Sequence, residues 1–139
     1  MKNSILIFLL LTAGMLVDPS CSFAQETNEE SLTVYYFHNT RRCATCNAIE
    51  EKTKETLENN FHGMMEKGKI KFVVLNAEED ENEAIVEKYE IWGSSLLLVK
   101  KSDGNERVEN LTDFAFANAR TNPDKFVTGL QAEIEKMIR

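Results

Sequence analysis

The chain has 139 residues, which is the length of a single domain. Hydrophobic residues make up 42% of it and charged residues 28%, with two Pro and three Cys, so disordered, collagen-like and disulfide-dense classes are excluded. The formal net charge is −7, and an acidic surface repels phosphate backbones. We therefore expect no nucleic-acid partner.

Residues 1–24 have the composition of a secretory signal peptide. Lys2 supplies a positive start, an almost wholly apolar run covers residues 5–17, and Ser22-Phe23-Ala24 forms a small-x-small cleavage site. The apolar run of about 13 residues is shorter than the ~20 residues that a membrane-spanning helix needs. These features predict an exported protein.

Cleavage after Ala24 would leave a flexible, acidic lead-in over residues 25–31 and one domain over residues 32–139. The mature chain would keep two cysteines, in a compartment where disulfides persist. Two alternatives stay open for the N-terminal segment. One is an uncleaved membrane anchor, and the other is a chain that is lipid-anchored at Cys21.

The rest of the chain alternates apolar runs with helical patterns. In chain order, the patterns predict a strand over 32–37, a helix over 43–59, a strand over 70–75, a helix from residue 80, a strand over 96–99, a strand over 107–109 and a helix starting at Asn122-Pro123. A strand–helix–strand unit pairs its strands in parallel, whereas the Asp103-Gly104 turn makes a hairpin. The sequence thus predicts an α/β fold with one mixed four-stranded sheet between helices.

Several boundaries within this pattern depend on single residues. Gly63 and Gly68 indicate the loop that follows the first helix. Asp80, with Glu83 three residues later, fits a helix cap at the start of the second helix. Residues 110–121 are ambiguous, and a short helix is one interpretation of them.

The sequence Cys43-Ala44-Thr45-Cys46 lies where the first strand leads into the first helix. Unsatisfied N–H groups and the helix dipole stabilise a thiolate at a helix start, and pKa values in such motifs fall between about 7 and about 3.5. Cys43 should therefore be the exposed nucleophile. Cys46, one turn further on, should be shielded and act as the resolving thiol.

Three polar residues precede the cysteine pair and are candidates for tuning the pKa of Cys43. Arg41 and Arg42 bring positive charge beside the thiol. His38, at the end of the first strand, could exchange a proton with Cys43. The alternative for His38 is a polar residue at a strand end with no chemical role.

A structural disulfide and a zinc site are two other interpretations of the pair. A permanent disulfide that closes a loop of about four residues would stabilise the fold by about 2 kcal/mol, less than a longer loop gains. A zinc site would need His38 and His62 beside the cysteines, but His62 lies roughly 24 Å from Cys46 along the predicted helix. We expect no metal bound by all four of these residues.

The chain resembles the thioredoxin superfamily. The resemblance rests on Cys43-x-x-Cys46 after a strand and on Lys88-Tyr89-x-Ile91-x-Gly93 before the next apolar strand. Around Tyr36-Phe37-His38 and Arg42-Cys43-x-Thr45-Cys46, the chain is similar to exported bacterial proteins labelled nitrophenyl-compound nitroreductase subunit, ArsF type. This resemblance implies a thioredoxin-like fold and a periplasmic location. No flavin or nicotinamide fingerprint is present, so no cofactor is expected.

The sequence departs from ordinary thioredoxins in three ways, of which the first is Arg42-Cys43-Ala44-Thr45-Cys46 in place of their Trp-Cys-Gly-Pro-Cys. Phe37 occupies the position of the family's buried acid, and Ser95 occupies that of the cis-proline facing the active site. A cis peptide is not expected without proline. The resemblance implies that Ser94 and Ser95 take the substrate-facing position, with Trp92 on the same rim.

The cysteine pair and the resemblance together predict an exported thiol–disulfide oxidoreductase or electron-relay domain. Its expected partners are protein thiols or disulfides, and the resemblance implies a membrane thiol-transfer protein of the DsbD/CcdA kind as electron donor. Two alternatives stay open. One is a metal-binding module that uses the two thiolates, and the other is a thioredoxin-fold interaction protein whose thiols are incidental.

Overall fold

The computed structural model describes residues 30–139. The predicted signal peptide over residues 1–24, Cys21 within it, and residues 25–29 of the predicted lead-in lie outside the described residues. Between residues 30 and 139, no helix is both long enough and apolar enough to cross a membrane.

The described chain contains four strands and four α-helices. They are β1 (Ser31–His38), α1 (Ala44–Glu66), β2 (Ile70–Asn76), α2 (Glu83–Lys88), β3 (Ser95–Ser102), β4 (Asn105–Asn110), α3 (Thr112–Asn118) and α4 (Pro123–Ile138). Each predicted strand and helix is present, and the ambiguous segment over residues 110–121 contains α3. Proline stands at the start of α4, as the sequence predicted.

The four strands form one mixed sheet in the order β2-β1-β3-β4. β1 pairs in parallel with β2, from Leu32 opposite Ile70 to His38 opposite Asn76. β1 also pairs antiparallel with β3, and β3 antiparallel with β4. Helices cover both faces of this sheet, so the predicted α/β fold with one mixed four-stranded sheet between helices is confirmed. The carboxyl end of the central strand β1 leads directly to the cysteine pair.

Alternation along β1 divides the core between the two faces of the sheet. Leu32, Val34 and Tyr36 point towards α1, α3 and α4 and are fully buried there. Phe37 points to the opposite face, where α2 packs with Leu97 and neighbouring residues. Because both faces of β1 are covered, its apolar run needs no clean alternation of polar residues.

Helix α1 extends seven residues beyond its predicted end, since it ends at Glu66 and not at residue 59. The prediction that Gly63 marks a loop was wrong. Phe61 follows Leu57 at helical spacing and is buried, so core packing carries the helix through the glycine. Gly68, with φ of 70°, lies beyond the helix in the left-handed conformation that favours glycine.

The two remaining local predictions have opposite outcomes. Asp80 does not cap a helix, because Asp80–Asn82 forms a 3₁₀ turn and α2 begins only at Glu83, with no side-chain cap. The Asp103-Gly104 turn is confirmed, with φ of 50° and 75° at its two central residues. Positive φ at both positions matches the right-handed twist of the flanking strands.

Candidate active site

Cys43 is the N-cap of α1 and faces the free amides of the first helical turn. Its backbone is extended, with φ of −83° and ψ of 166°, and its sulfur accepts a hydrogen bond from the Cys46 amide at 3.2 Å. The Cys43 carbonyl in turn accepts from the Asn47 amide at 3.1 Å. The cap therefore uses a sulfur where serine, threonine, aspartate or asparagine usually supplies an oxygen.

The two thiols differ in exposure and lie in contact with one another. Cys43 is exposed, whereas Cys46 is buried with 7% of its surface accessible. Both exposures are as predicted. Their sulfur atoms are 2.6 Å apart, so the two free cysteines are near enough to form a disulfide with each other.

The local hydrogen bonds favour the thiolate form of Cys43. The Cys46 thiol has the largest effect in lowering the pKa of Cys43 below its usual value, and the backbone amide of Cys46 adds to it. Hydrogen bonds from the amides of Thr45 and of Cys43 itself act in the same direction. The lowered pKa of Cys43 therefore has its largest cause in the neighbouring thiol and a smaller one in the amides of the helix start, and the sequence argument had named the amides but not the thiol.

Two of the three residues proposed to tune this thiol are engaged with other groups. Arg42 forms an ion pair with Glu50 and lies 5.7 Å from the centroid of the Tyr36 ring. The His38 ring is hydrogen-bonded through Nδ1 to the Asn39 carbonyl at 3.0 Å, and Arg41 is exposed. Tuning of the Cys43 pKa by these three side chains stays a prediction.

Tyr36 supports the buried cysteine, a role that the sequence did not reveal. Its hydroxyl donates to the Cys46 carbonyl at 2.8 Å. Burial raises the pKa of Tyr36 to about 12, and negative charge on Cys46 acts in the same direction. The neutral phenol thus holds the first turn of α1 against β1. The sequence signal that could have identified this role is the alternation along β1, which places Tyr36 on the face that α1 covers.

The loop that contains Trp92 and Ser94, just before β3 begins at Ser95, lies beside the cysteine pair. Ser94 Oγ lies 3.8 Å from Cys46 Sγ, whereas Ser95 Oγ donates to the Gly93 carbonyl at 3.0 Å. Trp92 is 96% exposed, so it takes no part in core packing. Of the predicted rim, the structure therefore brings Ser94 to the thiols, whereas the Ser95 hydroxyl turns back to the Gly93 carbonyl. No cis peptide bond occurs in residues 30–139.

No group of three or more His, Cys, Asp or Glu side chains is arranged to hold a metal ion among the described residues. His62 lies near the far end of α1, with its Nε2 3.4 Å from Glu66. The zinc arrangement considered for the two cysteines and two histidines is thus not formed by this fold.

Two solved structures that are similar to this chain are both thioredoxins. Mitochondrial thioredoxin 3 from Saccharomyces cerevisiae, in its oxidised form, is 17% identical, with 76% of this chain and 81% of that chain covered and a TM-score of 0.44. Thioredoxin from Trypanosoma brucei brucei is 21% identical, with 78% and 79% covered and a TM-score of 0.44. No protein-family model matches the chain, and no curated protein sequence does.

Proposed function

We propose that the protein exchanges thiols and disulfides with partner proteins through Cys43 and Cys46. The observation that carries this proposal is the exposed Cys43 sulfur, held at a helix start in contact with the buried sulfur of Cys46. A disulfide kept only for stability would gain little from so short a loop. A dithiol with one reachable sulfur and one shielded sulfur is suited to a two-step exchange.

The exchange balances over two steps. The Cys43 thiolate attacks a partner disulfide, forms a mixed disulfide and releases one partner sulfur as a thiolate. The Cys46 thiolate then attacks the Cys43 sulfur and releases the second partner sulfur. The partner disulfide gains two electrons, and the Cys43–Cys46 pair loses them. The reverse sequence oxidises a partner dithiol by the same atoms.

Trp92 gives the proposed substrate rim its apolar surface. It lies two residues from Ser94, whose hydroxyl contacts the Cys46 sulfur, so a partner that reaches the thiols meets the indole ring. An exposed tryptophan offers a large area for burial by a partner. We therefore assign Trp92 and the backbone of Ser94-Ser95 to docking of a protein segment in which an apolar side chain lies near the reacting cysteine.

The electron-relay part of the proposal concerns where the protein works. Its support is the signal-peptide pattern of residues 1–24 and the resemblance to exported bacterial proteins. In the periplasm, a membrane thiol-transfer protein of the DsbD/CcdA kind would return two electrons to the Cys43–Cys46 disulfide. A lipid anchor at Cys21 is the alternative location, and mass spectrometry of the purified N-terminus distinguishes the two.

Partner trapping tests the function. A Cys46→Ser variant should accumulate mixed disulfides through Cys43 in cells, because the resolving thiol is gone. A Cys43→Ser/Cys46→Ser variant is the matched control and should trap none. If the single variant traps no more protein than the double variant, thiol exchange with protein partners is refuted.

Equilibration of the purified protein with glutathione gives a second, independent test. The wild-type pair should cycle between dithiol and disulfide as the ratio of reduced to oxidised glutathione is changed. A pair that never cycles would contradict the proposal. Metal retained by anaerobically purified protein, with both thiols protected from alkylation, would favour the metal-binding alternative.

A further inference from the structure

The resolving step of the proposed exchange poses a problem at Cys46. Its sulfur reacts as a thiolate, yet it lies in a buried position where an anion is poorly solvated. In the reduced protein, the two thiols share a hydrogen bond across 2.6 Å, and Cys46 is its donor when Cys43 is the thiolate. In the mixed disulfide, Cys43 carries no S–H, so the Cys46 thiolate receives no hydrogen bond from it. Another polar group must then stabilise the attacking sulfur.

The usual candidates for this role are directed elsewhere. Phe37 stands where the resemblance would place an acid, and it packs on the opposite face of the sheet. Glu50, one turn beyond Cys46, is paired with Arg42. The Tyr36 hydroxyl donates to the Cys46 carbonyl and not to the sulfur.

Ser94 is the remaining side chain at the buried sulfur. Its Oγ is placed to donate to Cys46 Sγ at 3.8 Å, across 48 residues of sequence. The Tyr36 phenol is a second group near the same hydroxyl, because Ser94 acts to lower the Tyr36 pKa against the rise that burial causes. The single Ser94 proton serves one acceptor at a time, and the charged Cys46 thiolate is the stronger acceptor of the two.

We propose that the Ser94 hydroxyl stabilises the Cys46 thiolate after Cys43 has formed the mixed disulfide, and that it thereby speeds the resolving step. This inference rests on the proposed function, because it concerns the second half of the same exchange. Under this proposal, Ser94 acts directly on the reacting Cys46 sulfur and does not serve as a substrate contact alone.

The neighbouring serine supplies a matched control. Ser95 belongs to β3, and its Oγ donates to the Gly93 carbonyl at 3.0 Å. Ser94 and Ser95 therefore differ in which group they contact, although they are adjacent and both are half-buried. Ser94→Ala should impair the resolving step, whereas Ser95→Ala should not.

The experiment mixes each reduced, purified protein with an equimolar amount of dithiobis(nitrobenzoate), a symmetric aromatic disulfide, in a stopped-flow instrument. Cys43 displaces one thionitrobenzoate anion and becomes the mixed disulfide. Cys46 then displaces the second anion and closes the Cys43–Cys46 disulfide. Two electrons pass from the protein to the reagent disulfide, and the thiol protons go to solvent. The two releases are followed separately by absorbance, from pH 6 to pH 10.

For Ser94→Ala we expect a second release about fivefold slower than wild type at neutral pH, with an unchanged first release. The difference should disappear at high pH, where the thiolate forms without help. A second release equal to wild type, a slowing independent of pH, or an equal slowing in Ser95→Ala would overturn the inference. Failure of wild-type protein to give any second release would instead refute the proposed two-thiol exchange.

Discussion

The two faces of the sheet differ in how deeply they are packed. Among the described residues, the hydrophobic cluster on the face covered by α1, α3 and α4 has sixteen buried members, including Ile134, whereas the cluster on the face covered by α2 has four. No residue of α2 itself is buried. The candidate active site lies at the carboxyl end of β1, the strand that contributes residues to both clusters. α1 presents Cys43 and Cys46, and the loop between α2 and β3 presents Trp92 and Ser94.

The difference in packing means that the cysteine pair and the proposed docking surface are anchored to different depths. Cys46 is fixed by a helix anchored in the larger core and by the Tyr36 hydroxyl. Trp92 follows a short helix that is anchored only by half-buried residues such as Ile85 and Val86. In the proposed exchange, a deeply packed reacting pair beside a less deeply packed rim would allow partners of different shape to reach one sulfur.

The largest effect should come from removing a side chain on the deeply packed face. Ile134 is fully buried in α4, so Ile134→Ala should lower the free energy of unfolding by about 2–5 kcal/mol. Ile85→Ala, on the α2 face, should cost about 1 kcal/mol because that side chain is half-buried. Urea denaturation of the reduced proteins measures both. Equal losses would contradict the difference between the faces.

Trp92→Ala tests the rim without disturbing either core. Because the indole is 96% exposed, we expect the free energy of unfolding to change by less than about 0.5 kcal/mol. The rate of mixed-disulfide formation with a trapped partner should fall about tenfold, since a large apolar contact is lost. Phe116→Ala, which removes another exposed aromatic residue on α3, is the control and should leave that rate unchanged.

Cys46→Ala tests how far the buried thiol controls the exposed one. The pKa of Cys43 is lowered chiefly by the Cys46 thiol, so the variant should raise the pKa of Cys43 towards its usual value. The pH dependence of iodoacetamide alkylation, read against wild type, measures the change. An unchanged midpoint would assign the effect to the helix amides alone.

The same lowered pKa makes the stability of the reduced protein depend on pH. The folded protein loses the Cys43 proton more readily than the unfolded chain does, so this group adds stability above its usual pKa. That contribution is lost as the pH falls through the lowered pKa of the folded state. Cys46→Ala should reduce this pH dependence.

The smallest expected effects concern the length of α1. Gly63 lies inside the helix with no neighbouring atom within 4 Å of an added Cβ, so Gly63→Ala should stabilise the protein by about 1 kcal/mol. Gly68→Ala, at φ of 70°, should destabilise it by about 1 kcal/mol. Thermal unfolding compares the two variants. Stabilisation by both substitutions would contradict the observed end of the helix.

The sequence by itself determined the order of the elements, the hairpin turn and the unequal exposure of Cys43 and Cys46. These features follow from local rules, since side-chain period, turn conformation and the free amides of a helix start depend on residues close in the chain. The seven extra residues of α1 were missed because buried Phe61 outweighs the local preference of Gly63.

Only the tertiary structure decided which groups surround the buried sulfur. Pairing of β1 with β3 places Ser95 opposite Phe37 and so brings Ser94 to Cys46 from 48 residues away. The turn from β1 into α1 brings the Tyr36 hydroxyl to the Cys46 carbonyl. Such contacts depend on strand register and on helix packing across the sheet, and no local pattern in the chain encodes the distance between those side chains.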